Sequence, residues 1–219
     1  MMVKMLAVVM SGLGLQAGLS LDLGIAVMIG FHLYLRPGEL LRLQWGQLHS
    51  AVIGGKTVVG AMLHPREGLQ PSKTGNFDEA TLIDLEPLAL IVKAAQCCHR
   101  PNEHVVSCPP QEFQKLWDRA VEETGLKKAL GSQHLYVLRH SGASADRLSN
   151  RRPELEVKMR GRWKGDRSLK RYEKGGRVLE VLSRCATATR AFATRCEQVL
   201  WRALAGPSAP PLPRPELRF

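Results

Sequence analysis

Acidic residues are scarce in this sequence: 20 Asp and Glu stand against 31 Lys and Arg, for a formal net charge of +11. The resulting pI, near 9.8, argues for a polyanionic partner, either nucleic acid or an anionic membrane surface. The sequence also lacks a cysteine framework. Its five cysteines are odd in number and irregular in spacing, which excludes a disulfide scaffold and favours a reducing compartment. Cys97, Cys98, His99, His104 and Cys108 cluster in the chain but match no standard zinc spacing, and neighbouring Cys97 and Cys98 suit a single ion poorly. No carboxylate cluster of a two-metal site is visible, no internal repeat occurs, and no signal-peptide cleavage pattern follows the start. What remains is ordinary globular material: 219 residues, 44% hydrophobic, enough for one sizeable core.

The positive charge is concentrated. Between Arg147 and Arg177 twelve Lys and Arg face four Asp and Glu, so most of the chain's surplus sits in one stretch. Clustered cations attract phosphate, and each phosphate neutralised releases counterions. Trp163 and Tyr172 lie nine residues apart in this stretch, among Arg160, Arg162, Arg167 and Arg171. A phenol in such a field has its anion stabilised, which makes Tyr172 a candidate nucleophile toward phosphorus.

Periodicity supplies a coarse fold. From Leu6 to Leu35 only Asp22 and His32 interrupt an apolar run. That run is rich in glycine, and from Ser20, read as an N-cap, it keeps the spacing of a buried helix through Leu21, Ile25, Met28, Ile29 and Leu33. A core helix is expected there rather than a membrane span. Arg36-Pro37 then places an arginine on a helix–helix corner, with Glu39 in the first turn of the next helix. Residues 52–53, 57–59 and 80–83 read as three short antiparallel strands, with Gly54-Gly55 as a turn and Lys73 in the longer turn before the last strand. Helices follow from Glu86, over Glu112–Thr124 with Gly125 as C-cap, before Arg147, through Val178–Cys185 and over Ala191–Leu204. The expected class is α+β: mainly helical with a small antiparallel three-stranded sheet. Residues 1–205 form the domain, and the proline-rich residues 206–219 form an extended tail.

Four separated pieces together resemble the tyrosine recombinases (phage integrases and relatives), whose catalytic domain shares its fold with type IB topoisomerases. Arg36-Pro37-Gly38-Glu39-Leu40 matches an R-x-x-E-L motif, and Lys73-Thr74-Gly75 a hairpin lysine. Tyr136-Val137-Leu138-Arg139-His140 aligns with an H-x-x-R-H box, with Tyr136 in the place of the first histidine and His134 two residues earlier. Gly161-Arg162-Trp163 followed by Tyr172 resembles the third box and nucleophile, with one residue inserted between Gly161 and Trp163. The resemblance spans about residues 20–185. The family usually carries a helical clamp domain before this one, and nothing of that size precedes Leu21.

The resemblance implies site-specific recombination or integration of double-stranded DNA through a 3′-phosphotyrosyl intermediate. Tyr172 attacks phosphorus, Lys73 protonates the leaving 5′-oxygen, and Arg36 and Arg139 hold the nonbridging oxygens while Trp163 and Tyr136 donate hydrogen bonds to them. Guanidiniums suit that task, since their fork matches phosphate and stays charged. No cofactor or metal is expected, because the protein supplies the cations. Arg160, Arg162, Lys164, Arg167, Lys170 and Arg171 are expected to contact DNA, with His140 buttressing the site. Four protomers assembled on DNA, and a location with DNA (nucleus, or nucleoid of a bacterium) and away from membrane, complete the expectation. The alternatives are a DNA-binding remnant of a mobile-element integrase without strand transfer, and a membrane-surface protein using Leu6–Leu35 as anchor.

Overall fold

A computed structural model describes residues 1–64, 79–130, 134–165 and 175–206. Among them the chain is mainly helical with one small antiparallel sheet, as its patterning predicts. Among the described residues no helix is long and apolar enough to cross a bilayer.

The apolar run at the start holds two helices: α1 (Met2–Gln16), which the sequence reading did not single out, and α2 (Asp22–His32), the core helix expected after Ser20. Gly18 breaks it. Its φ of +73° lets the Leu19 N–H reach back to the Gly14 carbonyl at 2.8 Å, a left-handed closure that a residue with a side chain enters at a cost. The N-cap of α2 is Leu21 rather than Ser20, whose Oγ accepts from the Asp22 N–H at 3.3 Å. Helix α2 is apolar all round and accordingly buried on every side, with Leu23, Ile25, Ala26, Val27, Met28 and Ile29 in the core. It packs on α1, on α3 (Pro37–Arg42), on α4 (Glu86–Gln96), on α7 (Tyr136–Leu148) and on α10 (Thr187–Ala205).

Strands β1 (Leu48–Ile53), β2 (Lys56–Leu63) and β3 (Glu79–Ile83) pair antiparallel in sequence order. The β1–β2 link is the two-residue turn Gly54-Gly55, with φ of +58° and +78°, which matches the twist of the flanking strands. On β2, Thr57, Val59, Ala61 and Leu63 alternate inward, and α4 covers that face with Leu88, Ile91 and Val92. Helix α5 (Pro110–Glu123) starts two residues earlier than its apolar spacing indicates, because Pro110 has no N–H to lose in the first turn. Gly125 closes it at φ +70°, as expected. The short helix α6 (Lys127–Leu130) and the helix α8 (Glu154–Arg160) have no counterpart in the sequence reading; α8 lies inside the basic stretch, where charge hid a single buried apolar residue, Val157. Helix α9 (Gly175–Arg184) and α10 end the described chain.

One close approach sets the position of everything that follows. A Cβ on Gly142 in α7 would stand 2.0 Å from the Phe31 carbonyl oxygen and 2.7 Å from the Tyr34 ring. Only a residue without a side chain lets α7 sit that low on the end of α2. Gly142→Ala is expected to destabilise the protein by about 2–3 kcal/mol, since backbone must move to admit the methyl group; thermal unfolding monitored by circular dichroism measures it. A melting temperature equal to the parent's would show that α7 has room to spare.

Candidate functional site

Tyr34 follows the last turn of α2 at φ +50°, a left-handed conformation that turns its carbonyl toward α7. Arg139, on the inner face of α7, is 2% exposed. Its Nη1 donates to the Tyr34 carbonyl and its Nη2 to the Gly161 carbonyl, while the guanidinium carbon stands 4.9 Å from the Trp163 ring centroid. Trp163 in turn stacks on Tyr34, centroids 6.3 Å apart and planes 20° from parallel. Gly161 permits this, because a Cβ there would lie 2.1 Å from the indole. Three segments far apart in sequence thus meet at one guanidinium.

The fourth member arrives through Glu39. Arg36 occupies the corner before α3 with extended backbone, as its Pro37 predicts. The Glu39 carboxylate accepts from the Arg36 N–H at 2.7 Å and from Arg36 Nη1 at 2.6 Å. It also accepts from Arg162 Nη2 at 2.6 Å, and Arg162 Nε stands 3.3 Å from Glu79 Oε2. Burial raises the Glu39 pKa, but the Arg162 charge and the Arg36 contacts outweigh it and hold the carboxyl below its usual range. Arg139 responds to the same neighbours. Burial first, then the like charges of Arg162 and Arg36, lower it to about 10, which still leaves it charged at neutral pH. Three guanidiniums against two carboxylates leave this cluster a net cation.

The backbone around it is strained. Of the four non-glycine residues at positive φ among those described, Tyr34, His64 (+51°) and Arg162 (+53°) belong to this cluster. Such conformations cost of order 1–3 kcal/mol each and persist where surrounding contacts enforce them.

A second hub lies one layer behind. Asp84, between β3 and α4, accepts from His32 Nε2 at 2.8 Å and from both terminal nitrogens of Arg152 at 2.6 Å. Arg152 also reaches Asp146 at 2.8 Å and Glu156 at 2.7 Å, and Asp146 accepts the Tyr34 hydroxyl. Arg160 donates to the carbonyls of Leu82 (2.7 Å) and His32 (3.2 Å), with its ring-facing side 6.0 Å from Tyr34. Burial pushes His32 down, toward the neutral form. Burial alone would raise Asp84, yet the His32 and Arg152 hydrogen bonds and the Arg160 charge hold it far below the usual carboxylate range.

These placements revise the basic-face expectation. Arg160 and Arg162, expected to meet DNA, are buried: Arg160 is 8% exposed, and the Arg162 side chain 7%. Each is occupied with carboxylates or carbonyls of the protein itself, because α8 turns this part of the stretch inward. Lys164 is exposed, as are Tyr136 (41%) and His140 on the outer face of α7, their rings 5.3 Å apart. Tyr136 rather than His134 is the helical residue one turn before Arg139 and His140. Lys73, Arg167, Lys170, Arg171 and Tyr172 lie outside the described residues. Asp84, Asp146, Arg152 and Tyr34 were missed; the one trace in the sequence is Asp84, a charge between Ile83 and Leu85.

Neither metal constellation is a cage. His99 is held by Asp22 at 3.2 Å and Glu103 at 3.0 Å and stacks on Trp45 at 4.8 Å, while Cys97 and Cys98 point outward. Donor atoms of Glu39, His64 and Glu79 come within 4.8 Å of one another, but Arg36 and Arg162 already compensate Glu39, and a cation would face both guanidiniums.

The Asp84 hub predicts a pH signature. A carboxylate with a depressed folded pKa stabilises above its unfolded value, about 4, and that contribution disappears as pH falls below it. Asp84→Asn is expected to cost about 2 kcal/mol from pH 5 to 8, less than a fully buried pair because the carboxylate is partly solvated. The difference from the parent should shrink below about pH 4 in denaturant titrations. A cost unchanged at pH 3 would remove the ionised carboxylate from the hub.

Comparison of the chain with protein-family models, with characterised proteins and with solved structures returns no match.

Proposed function

We propose that this chain is a DNA strand transferase of the tyrosine recombinase type, acting in recombination or integration of mobile DNA. One observation carries the reading: Arg36, Arg139 and Trp163, singled out from three distant motifs, converge with Tyr34 and Glu39 in one net-cationic cluster. A structural explanation of any one of them leaves their meeting unexplained. Guanidiniums already in place at a phosphodiester lower the barrier by stabilising charge on the nonbridging oxygens without reorganising at the moment of reaction.

In this scheme the Tyr172 hydroxyl gives up its proton to solvent as its oxygen forms a bond to phosphorus, the bond to the 5′-oxygen breaks, and Lys73 delivers the proton which that oxygen takes. The DNA end remains as a 3′-phosphotyrosyl link until a 5′-hydroxyl reverses the step. The exposed pair Tyr136 and His140 lies at the outer rim of the same helix, where Tyr136 is able to donate to phosphate. Double-stranded DNA is the partner, recombination by a tetramer the assembly, and a location with DNA follows from the substrate.

A second reading has its own support. The Arg139 fork is committed to the Tyr34 and Gly161 carbonyls, and Arg36 to Glu39. A remnant that binds DNA without cutting it would keep such an internally satisfied cluster. A duplex nicked next to the scissile phosphate separates the two. The strand transferase accumulates a covalent complex resistant to denaturing electrophoresis, and Tyr172→Phe abolishes it while leaving the gel shift intact. Arg139→Lys should slow the adduct by about 100-fold or more, since an ammonium cannot reproduce the fork. A gel shift with no adduct would establish the remnant; an adduct retained by Tyr172→Phe would exclude this tyrosine.

A further inference from the structure

Three of the five cysteines are shielded. Cys185 and Cys196 are buried, and burial raises both thiols. Cys108 is half-buried, and burial followed by the Glu112 charge pushes it up to about 11. The other two, Cys97 and Cys98, are adjacent and exposed at the end of α4. Cys97 Sγ lies 3.5 Å from the Lys93 carbonyl and Cys98 Sγ 3.9 Å from the Ala94 carbonyl, weak contacts along the helix's own last turn. Access to solvent therefore directs thiol chemistry to this pair.

The pair stands between two anchors. Gln96 Nε2 donates to the Trp45 carbonyl at 3.1 Å and to the Leu48 carbonyl at 2.6 Å, while its Oε1 accepts from Ser50 Oγ at 2.9 Å. His99 stacks on the Trp45 ring and meets Asp22 at 3.2 Å and Glu103 at 3.0 Å. Beyond it the chain runs beside the connection from α3 to β1. The Trp45 N–H donates to the Glu103 carbonyl at 3.0 Å, the Gly46 N–H to the Pro101 carbonyl at 2.8 Å, and the Val105 N–H to the Leu43 carbonyl at 2.8 Å. Gln96 and His99 are thus two ends of a clasp on that connection, with both exposed thiols between them.

We propose that Cys97 and Cys98 are a redox modification site, closed to a vicinal disulfide by a hydroperoxide and reopened by a dithiol, and that closure loosens this clasp. With hydrogen peroxide, one thiol sulfur attacks an oxygen: an S–O bond forms, the O–O bond breaks, and water leaves. The sulfur becomes a sulfenic acid as the peroxide is reduced. The neighbouring thiol then displaces that oxygen, an S–S bond replacing S–O, and a second water leaves with the thiol's proton. Consecutive Cα atoms stand about 3.8 Å apart across a trans peptide, short of the roughly 4.4–6.8 Å of ordinary disulfides. Consecutive side chains on a helix also diverge by about 100°. Cys97 has helical backbone, and the Cys97 and Cys98 N–H groups donate to the Ala94 and Ala95 carbonyls at 3.2 and 2.9 Å. Closing so small a ring has to break that turn and pull on both flanking anchors. A bond under such strain is easily reduced, which suits a transient, regulatory disulfide in a reducing compartment. None of this depends on the strand-transfer reading.

The test is peroxide treatment of the full chain at low micromolar concentration. Its intact mass should fall by about 2 Da, the two hydrogens lost to one disulfide. Peptide mapping without reductant should place the bond between Cys97 and Cys98, and dithiothreitol should restore the mass. Cys97→Ser and Cys98→Ser should each abolish the loss and leave a sulfenic acid on the remaining thiol, captured by dimedone. Amide exchange over residues 45–50 should run about tenfold faster or more in the oxidised parent and recover on reduction. In either serine variant, peroxide should leave that exchange unchanged. Oxidation to sulfinic or sulfonic acid without the mass loss overturns the site, and so does a bond mapped to Cys108 or a dimer crosslinked through either residue. A Cys97–Cys98 bond that leaves exchange over residues 45–50 unaltered overturns its hold on the clasp.

Discussion

Removing a guanidinium from water is among the costliest steps a fold of this size takes, and Arg139 has been removed almost completely. What makes it tolerable is geometry. Two carbonyl oxygens, of Tyr34 and Gly161, face its fork, and an indole lies flat beneath it. The partners depend on unusual local backbone: Tyr34 is left-handed, so is Arg162 between Gly161 and Trp163, and Gly161 is bare so that Trp163 can fold back. The low seat of α7 at Gly142 brings the arginine within reach of both. Local strain and helix packing thus answer to one buried charge.

The remaining buried charges sort into two hubs that serve as its scaffold. Glu39 gathers Arg36 and Arg162 at the front; Asp84 gathers His32, Arg152 and Arg160 behind. Half of the six cations between Arg147 and Arg162, namely Arg152, Arg160 and Arg162, are therefore internal, meeting carboxylates of the protein rather than solvent. A count of basic residues overstates the field that such a protein presents to a polyanion, because burial and pairing consume part of it.

That distinction marks the limit of what the sequence made legible. The strand at residues 57–59, the Gly54-Gly55 turn, the apolar α2 and the corner at Arg36-Pro37 follow from local rules that tertiary contacts do not override, and all are present. Arg36, Arg139 and Trp163 stood out in the sequence because each sits in a short pattern of fixed spacing. Arg160 and Arg162 were misread as surface cations because spacing gives no account of which way a charged helix faces. Val157 is the single apolar residue that turns α8 inward, too thin a stripe to signal a helix. The Asp84–Arg152 pair joins residues 68 positions apart, and no local pattern announces such a partner.

Gly161 separates Arg160 from Arg162, and the peptide units on either side of it carry one arginine into each hub. The two clusters are therefore not independent thermodynamic sites. A substitution at Asp84 and one at Glu39 pull on the same three-residue segment, so their effects on stability should depart from simple addition, though the carboxylates never meet. In evolutionary terms, drift at either carboxylate narrows what the other can become, and the pair behaves as a single unit of selection.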